Sequence, residues 1–350
     1  MTNQLIVEHD EHPYPGVDGR ARGFLAVNPA AGSAAGLDFT LRHVWGHLTD
    51  LAGTPVADVG RAVPADSTWQ QRLAVGLDLL DTLLEDAGQD HRRLIGVGAG
   101  VPGQIERGTG VVGPSLPGQA WAGVNVAEEF GRRLTAPVLV ENNTRLEAVA
   151  EVTWGVGRDA KHVFYIGLSS GIGTGLFFDG KLHRGAWGGA GELGHVSVDF
   201  DGPACPCGNR GCLVQYAAIP AVLHALRVHL GPDATTEDLQ AAIATGDRAC
   251  LGVIADVGQI VGRVLANLCN LLNPERIIIG GELSLAGDRL LDPMRASLRR
   301  HAMTPVRDVD IVAAQLDLGA RAGARGGAAL VLREAGSLAA ALLATERTPV

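Results

Sequence analysis

Between Gly191 and Ala218 the chain reads GELGHVSVDFDGPACPCGNRGCLVQYAA, and the rest of the sequence is best read outward from that run. It holds three of the five cysteines, Cys205, Cys207 and Cys212, with His195 just upstream. A Cys-x-Cys-x4-Cys knot puts three thiolates within a few residues. One imidazole completes the four soft or borderline ligands that zinc takes in a tetrahedron. Pro206, Gly208 and Gly211 let the backbone turn tightly round an ion. The alternatives are a redox pair or a chance cluster; tight spacing together with a fourth ligand favours a structural zinc on His195, Cys205, Cys207 and Cys212. Cys250 and Cys269 lie in apolar runs and read as inert core thiols.

Composition narrows the classes. At 350 residues with 46% hydrophobic content, the chain has material for two lobes and a sizeable core. No run of about 18 consecutive apolar residues predicts a membrane span. The N-terminus has no basic-then-apolar leader, so export is not expected. Cysteines gathered in one metal-like knot suit a reducing cytoplasm. A net charge of -9 with dispersed basic residues argues against nucleic-acid binding by this chain alone.

Along the chain, 1–22 read as a polar lead-in. Strands and turns then follow: GFLAVNPAAGSAAGLDF with a turn at Asn28-Pro29, and LRHVWGHLTDLAGTPVADVGRAV with a turn at Gly53 to Pro55. Ser67 to Ala87 shows helical apolar spacing at Leu73, Leu77, Leu80, Leu83 and Leu84. LIGVGAGVPG and APVLVEN are buried strands, and Asn125 to Leu134 and Thr144 to Thr153 are helices. The pattern restarts at HVFYIGLSSGIGTGLFFDGKLHRG. Helices follow at Ile219–Leu230, Thr236–Ala244 and Leu251–Asn273, then strands in ERIIIGGEL and VDIVAAQL, and a closing helix over Gly326 to Leu343. Two halves that each open with hairpin strands and end in αβ units predict a duplicated, two-lobed α/β architecture of the actin-like ATPase type. The expected division is 23–142 plus 321–345 for a smaller lobe and 143–320 for a larger lobe carrying the zinc loop.

Gly-Glu-Leu-Gly-His followed by Cys-Pro-Cys-Gly-Asn-Arg-Gly-Cys-Leu resembles the signature of the ROK family, which joins bacterial sugar kinases with sugar-responsive repressors. The resemblance runs from about Gly19 to about Arg333 and implies the two-lobed sugar kinase/ribonuclease H-like fold. It also implies roles for particular residues. Gly171, Gly173 and Thr174 fall in its phosphate turn, although a plain glycine-rich hairpin has the same look. Gly280 and Gly281 resemble its adenosine-side loop, or an ordinary strand-to-helix turn. Gly323 to Gly327, opening the last helix, is equally ambiguous. The first phosphate turn, Asp-x-Gly-Gly-Thr in the kinases, appears as Asp38-Phe39-Thr40-Leu41-Arg42. Asp38 reads as a turn cap or a retained ligand contact, and the lost glycines speak against ATP.

The kinases' Glu-Asn-Asp, whose aspartate takes the sugar's proton, is Glu141-Asn142-Asn143 here. An amide has no useful basicity for that step, so no catalytic residue is assigned. Asn143 still donates and accepts hydrogen bonds. Pro-Asn-Leu is replaced by Pro114-Ser115-Leu116, and the glutamate after Gly-Cys-Leu is Val214. The expected ligand contacts are Ser115, Asn142, Asn143, Glu192 and His195. For Glu192 the alternative is a structural ion pair. Glu192 and His195, three apart, share a face on a helical turn. The lead-in resembles the segment that follows the winged helix-turn-helix of ROK repressors, with no room for that domain upstream. The sequence therefore predicts a non-catalytic, homodimeric sensor of a sugar or sugar derivative, of the regulator branch. A glucokinase-like ATP-dependent sugar kinase with a degenerate site is the alternative, and a zinc-stabilised pseudokinase scaffold without ligand is the third reading.

Overall fold

The computed structural model describes residues 6–9, 24–113, 120–316 and 321–345; Ser115 and most of the lead-in lie outside them. Strands β1 (Ile6–His9) and β2 (Phe24–Val27) form an antiparallel pair of their own. The first large sheet comprises β3 (Ser33–Phe39), β4 (His43–Asp50), β5 (Pro55–Ala62), β6 (Leu94–Val101) and β7 (Val138–Asn142), in the order β5-β4-β3-β6-β7. The second comprises β8 (Val163–Leu168), β9 (Ile172–Phe178), β10 (Lys181–His183), β11 (Arg276–Gly280) and β12 (Asp310–Ala313), in the order β10-β9-β8-β11-β12. Each sheet has three antiparallel strands in a meander and two more strands parallel to the first. The duplication predicted from the element pattern is thus present as one topology used twice, in an α/β fold.

Helix α1 (Trp69–Asp86) starts at a capping box, with Thr68 Oγ1 accepting from the Gln71 amide and Gln71 Oε1 from the Thr68 amide. Its buried stripe of Leu73, Leu79, Leu80, Leu83 and Leu84 covers the first sheet. Phe39, Trp121 and Phe130, the last on the short α2 (Val126–Gly131), fill the centre of that core. The second core is built on α5 (Ile219–Leu230), α7 (Arg248–Leu272) and α8 (Asp288–His301), with the short α4 (Val214–Ala217) and α6 (Thr236–Ala244) alongside. Helix α8 went unpredicted. Pro293 inside it suppresses the local helix signal, yet Leu290, Leu291, Met294 and Leu298 bury one face and hold the helix.

Among the described residues α7 is the one helix long and apolar enough to cross a membrane, and half of its apolar window is buried here. It is the core helix of the second half. A Cβ on Gly258 or Gly262 would sit 2.4 Å from Leu290 O or 2.3 Å from Met294 O, so small residues bring α7 and α8 into backbone contact. The apolar face of α7 is therefore largely spent inside the fold, though Leu271 near its end is 79% exposed.

Two helices join the halves. α3 (Asn143–Thr153) packs on β8 and β9 and against α9 (Ala322–Thr345), which lies across β3, β4 and β6. The expected lobe boundary at 142/143 falls between β7 and α3. The glycines of Gly323 to Gly327 are explained by this packing. A Cβ on Gly326 would lie 1.8 Å from Leu146 O, and one on Gly36 1.7 Å from Ala324 O. Backbones this close admit no side chain.

Candidate functional site

The site is built at the junction of β7 and α3. Asn142 caps α3: its Oδ1 accepts from the amides of Thr144 (3.0 Å) and Arg145 (3.4 Å), and its Nδ2 donates to Gly103 O (3.1 Å). Both ends of that amide are spent on orienting the next residue. Asn143 Nδ2 donates to Asp38 Oδ1 and, at 3.3 Å, to Phe39 O. With both amide protons used, Oδ1 is left as a buried acceptor without a partner among the described residues. That atom asks for a donor from a ligand.

Asp38, at 2% exposure, is held in a slot opened by Gly323, where a Cβ would lie 2.3 Å from the carboxylate. Burial pushes its pKa up to about 7, with the Asn143 hydrogen bond pulling the other way. It does not cap the following turn; Thr40 does. Glu147, one turn along α3, accepts from Tyr165 Oη (2.9 Å) and is pushed up to about 8, by burial first and then by the Asp38 charge. Glu282 adds to the same negative field, and its Oε2 is buried without a partner among the described residues.

This carries a pH prediction. Asp38 binds its proton more tightly folded (about 7) than at its ordinary value of 3.8. Its stabilising contribution is complete below the ordinary value and is lost as pH rises through 7. Integrated over the shift, the loss is up to about 4 kcal/mol. Asp38→Asn keeps an acceptor for Asn143 and removes the titration. Its Tm is expected to fall less between pH 5 and 8 than that of the wild type; equal slopes in thermal melts across that range would refute the assignment.

The two turns that correspond to the kinases' phosphate turns are occupied by the protein itself. Thr40 N and Oγ1 donate to His43 O at 2.9 and 3.0 Å, closing the first turn. Arg72, 3% exposed, donates to Thr40 O (2.7 Å), Leu41 O (2.9 Å) and the carbonyls of Pro64, Ala65 and Ser67. The turn is a locked hairpin. In the second turn, a Cβ on Gly173 would lie 2.4 Å from Thr144 Oγ1 and one on Gly175 2.2 Å from Ala148 Cβ, so these glycines seat α3. Thr174 Oγ1 donates to Gly191 O (2.5 Å). A Cβ on Gly280 would lie 1.9 Å from Tyr165 Oη, and one on Gly281 2.3 Å from Leu168 O. Of the predicted nucleotide residues only Gly171 faces open space.

Glu192 is exposed, and nothing among the described residues bonds its carboxylate. It caps a 3₁₀ turn, Leu193–His195, which brings His195 to the cysteines. His195 Nδ1 lies 3.6 Å from Cys205 Sγ, and Cys207 Sγ 3.6 Å from Cys212 Sγ; all four donor atoms fall within 4.8 Å of one another. Tetrahedral zinc with its usual bond lengths spaces such donors by about 3.5–3.8 Å. The donor set fits. Cys205 N to Asn209 O (2.8 Å) and Gly208 N to Cys205 O (2.9 Å) shape the knot, with Gly208 and Gly211 at φ +97° and +59°. Leu193 and Leu213 anchor its ends in the second core. Cys250 and Cys269 are fully buried, and burial pushes each up to about 11, with Asp247 assisting at Cys250.

Arg145 and Glu141 escaped the sequence reading. Arg145 is 3% exposed and Glu141 1%. Arg145 bonds Glu141 (3.1 Å), Gly188 O (2.7 Å) and Ala190 O (2.8 Å), and Arg184 takes the other Glu141 oxygen (2.5 Å). A helical arginine reads as a surface residue, and no local pattern tells otherwise.

The ROK family profile matches residues 35–334. The chain is 30% identical over 280 residues to a xylose repressor of Bacillus subtilis, covering 80% of this chain and 72% of that one. It is 32% identical over 277 residues to a glucokinase of Streptomyces coelicolor, covering 73% and 85%. Among solved structures, a ROK family transcriptional regulator, homologue of the E. coli MLC protein, superposes with TM-score 0.81 at 26% identity, over 97% of this chain and 87% of that one. A ROK glucokinase of Streptomyces griseus, solved with glucose and AMPPNP, gives 0.71 at 28%, over 85% and 99%. Relatives named as repressors lend no support to the expectation that this chain leaves DNA alone. Profile, relatives and fold agree: the chain belongs to the ROK family.

Proposed function

We propose that this protein is a regulator-type ROK sensor that binds a sugar or sugar derivative between lobes 23–142 plus 321–345 and 143–320, without phosphorylating it. The observation that carries the reading is Asn143. Its amide is locked by Asp38 and Phe39 O, so its free Oδ1 accepts a ligand hydroxyl but cannot carry off the proton. Glu192 offers an unengaged carboxylate, and Asn142 holds Asn143 in place. Ser115 joins the contact set as a proposal from the resemblance. His195 binds zinc through Nδ1 and is left with Nε2 for the ligand, while Cys205, Cys207 and Cys212 close the metal's coordination. The closed set makes zinc structural. Homodimer formation is carried over from the resemblance.

The second reading, an ATP-dependent sugar kinase, is favoured by the likeness to glucokinases. Calorimetric titration tests the site, and an assay of phosphotransfer separates the readings. D-xylose or D-glucose is expected to bind the full chain without ATP, and Asn143→Ala or Glu192→Ala to weaken binding by about tenfold or more, the cost of stranding a hydroxyl. Titrations in which neither variant changes the affinity would sink the site assignment.

A further inference from the structure

The run from Arg184 to Glu192 is held by side chains acting on its backbone. Gln104 Nε2 donates to Trp187 O (3.2 Å) and Thr174 Oγ1 to Gly191 O (2.5 Å). The strongest hold is Arg145. It lies in the first turn of α3, two residues after Asn143, and its guanidinium spans Glu141 on one side and the carbonyls of Gly188 and Ala190 on the other. Ala190 is two residues from Glu192. Glu141 is itself the residue before the α3 cap, and its Oε1 also accepts from the Asn142 amide (3.0 Å).

We infer that Arg145 is the positioning residue that makes the Glu192 loop and the start of α3 move as one piece, so that ligand at Glu192 is felt at α3 and through it at α9. Three acceptors on two different segments converge on one planar cation, the bonds to Glu141 and Gly188 O buried and the one to Ala190 O partly so. A guanidinium forks to several acceptors in a fixed geometry, which a lysine ammonium on a flexible stem does not reproduce. Loss of the guanidinium would strand the Gly188 carbonyl, whose bond is buried, without a partner. Removing Arg145 leaves Glu141 its Arg184 partner, so the fold has no uncompensated buried carboxylate.

The test is hydrogen exchange on the full chain, wild type against Arg145→Ala and Arg145→Lys. In Arg145→Ala, amides in 185–192 and in 143–147 are expected to exchange about tenfold faster or more, together, while α7 and α8 keep their protection. Arg145→Lys keeps the charge and is expected to retain the melting temperature but not the loop protection. Faster exchange confined to the loop, no change in either segment, or equal loosening of α7 and α8 would each overturn the inference. A further arm rests on the sensor reading. Saturating D-xylose or D-glucose should protect both segments in the wild type, and only the loop in Arg145→Ala. If neither sugar protects the wild type, the sensor reading fails for these sugars, and the unliganded exchange still decides the role of Arg145.

Discussion

Phosphotransfer from ATP to D-glucose or D-xylose is expected to be slower than in a ROK kinase by about 10² to 10⁴, the usual contribution of a general base. Asn143 stands where the resemblance to the kinases puts the base, and its two protons are committed to Asp38 and Phe39 O. Asn143→Asp is expected not to restore activity. The first phosphate turn remains an obstacle, since Arg72 holds it shut and Leu41 stands on it. A coupled assay of the full chain, with and without the substitution, checks this. Turnover in the range of about 1–10³ s⁻¹ typical of enzymes would overturn the sensor reading.

Loss of the metal is expected to have the next largest effect. Purified protein should carry one zinc per chain, and Cys205→Ser, Cys207→Ser or His195→Ala should carry little. A ligand present at about a thousand times its Kd stabilises the folded state by about 4 kcal/mol. At this chain length that corresponds to a fall in Tm of roughly 5 °C. The loss should be local first. Leu193 and Leu213 keep both ends of the knot in the second core, so residues between them loosen while α7 and α8 stay folded. Glu192 rides on the same turn as His195, and sugar affinity should fall with the metal content. Metal analysis of the wild type at well under one zinc per chain, or unchanged Tm in the variants, would refute the site.

Most strands and helices were legible because their periodicity is local. The leucine spacing of α1 and the long apolar spacing of α7 each appear within a single window. The Cys-His cluster was legible for the same reason, since three of its four residues lie within eight consecutive residues. What escaped has another physical origin. Helix α8 carries a proline, and its stability comes from what it packs on. Arg145, Arg72, Glu147 and Tyr165 have unremarkable neighbours in the chain. Their importance arises from acceptors far away along it: Gly188 for Arg145, Thr40 for Arg72, and Tyr165 as the donor to Glu147.

The sequence by itself determined the family, the α/β class and the gathering of His195, Cys205, Cys207 and Cys212, because each is a matter of residue identity at short spacing. Only the tertiary structure decided what the glycine-rich turns do. Gly173, Gly175 and Gly280 have the same side chain whether phosphate or protein fills the space in front of them. Here Thr144, Ala148 and Tyr165 fill it. The tertiary structure also placed Asp38 against Asn143, 105 residues away, inside a slot that burial makes costly for charge. Desolvation and close packing depend on the whole fold, and no local pattern encodes them.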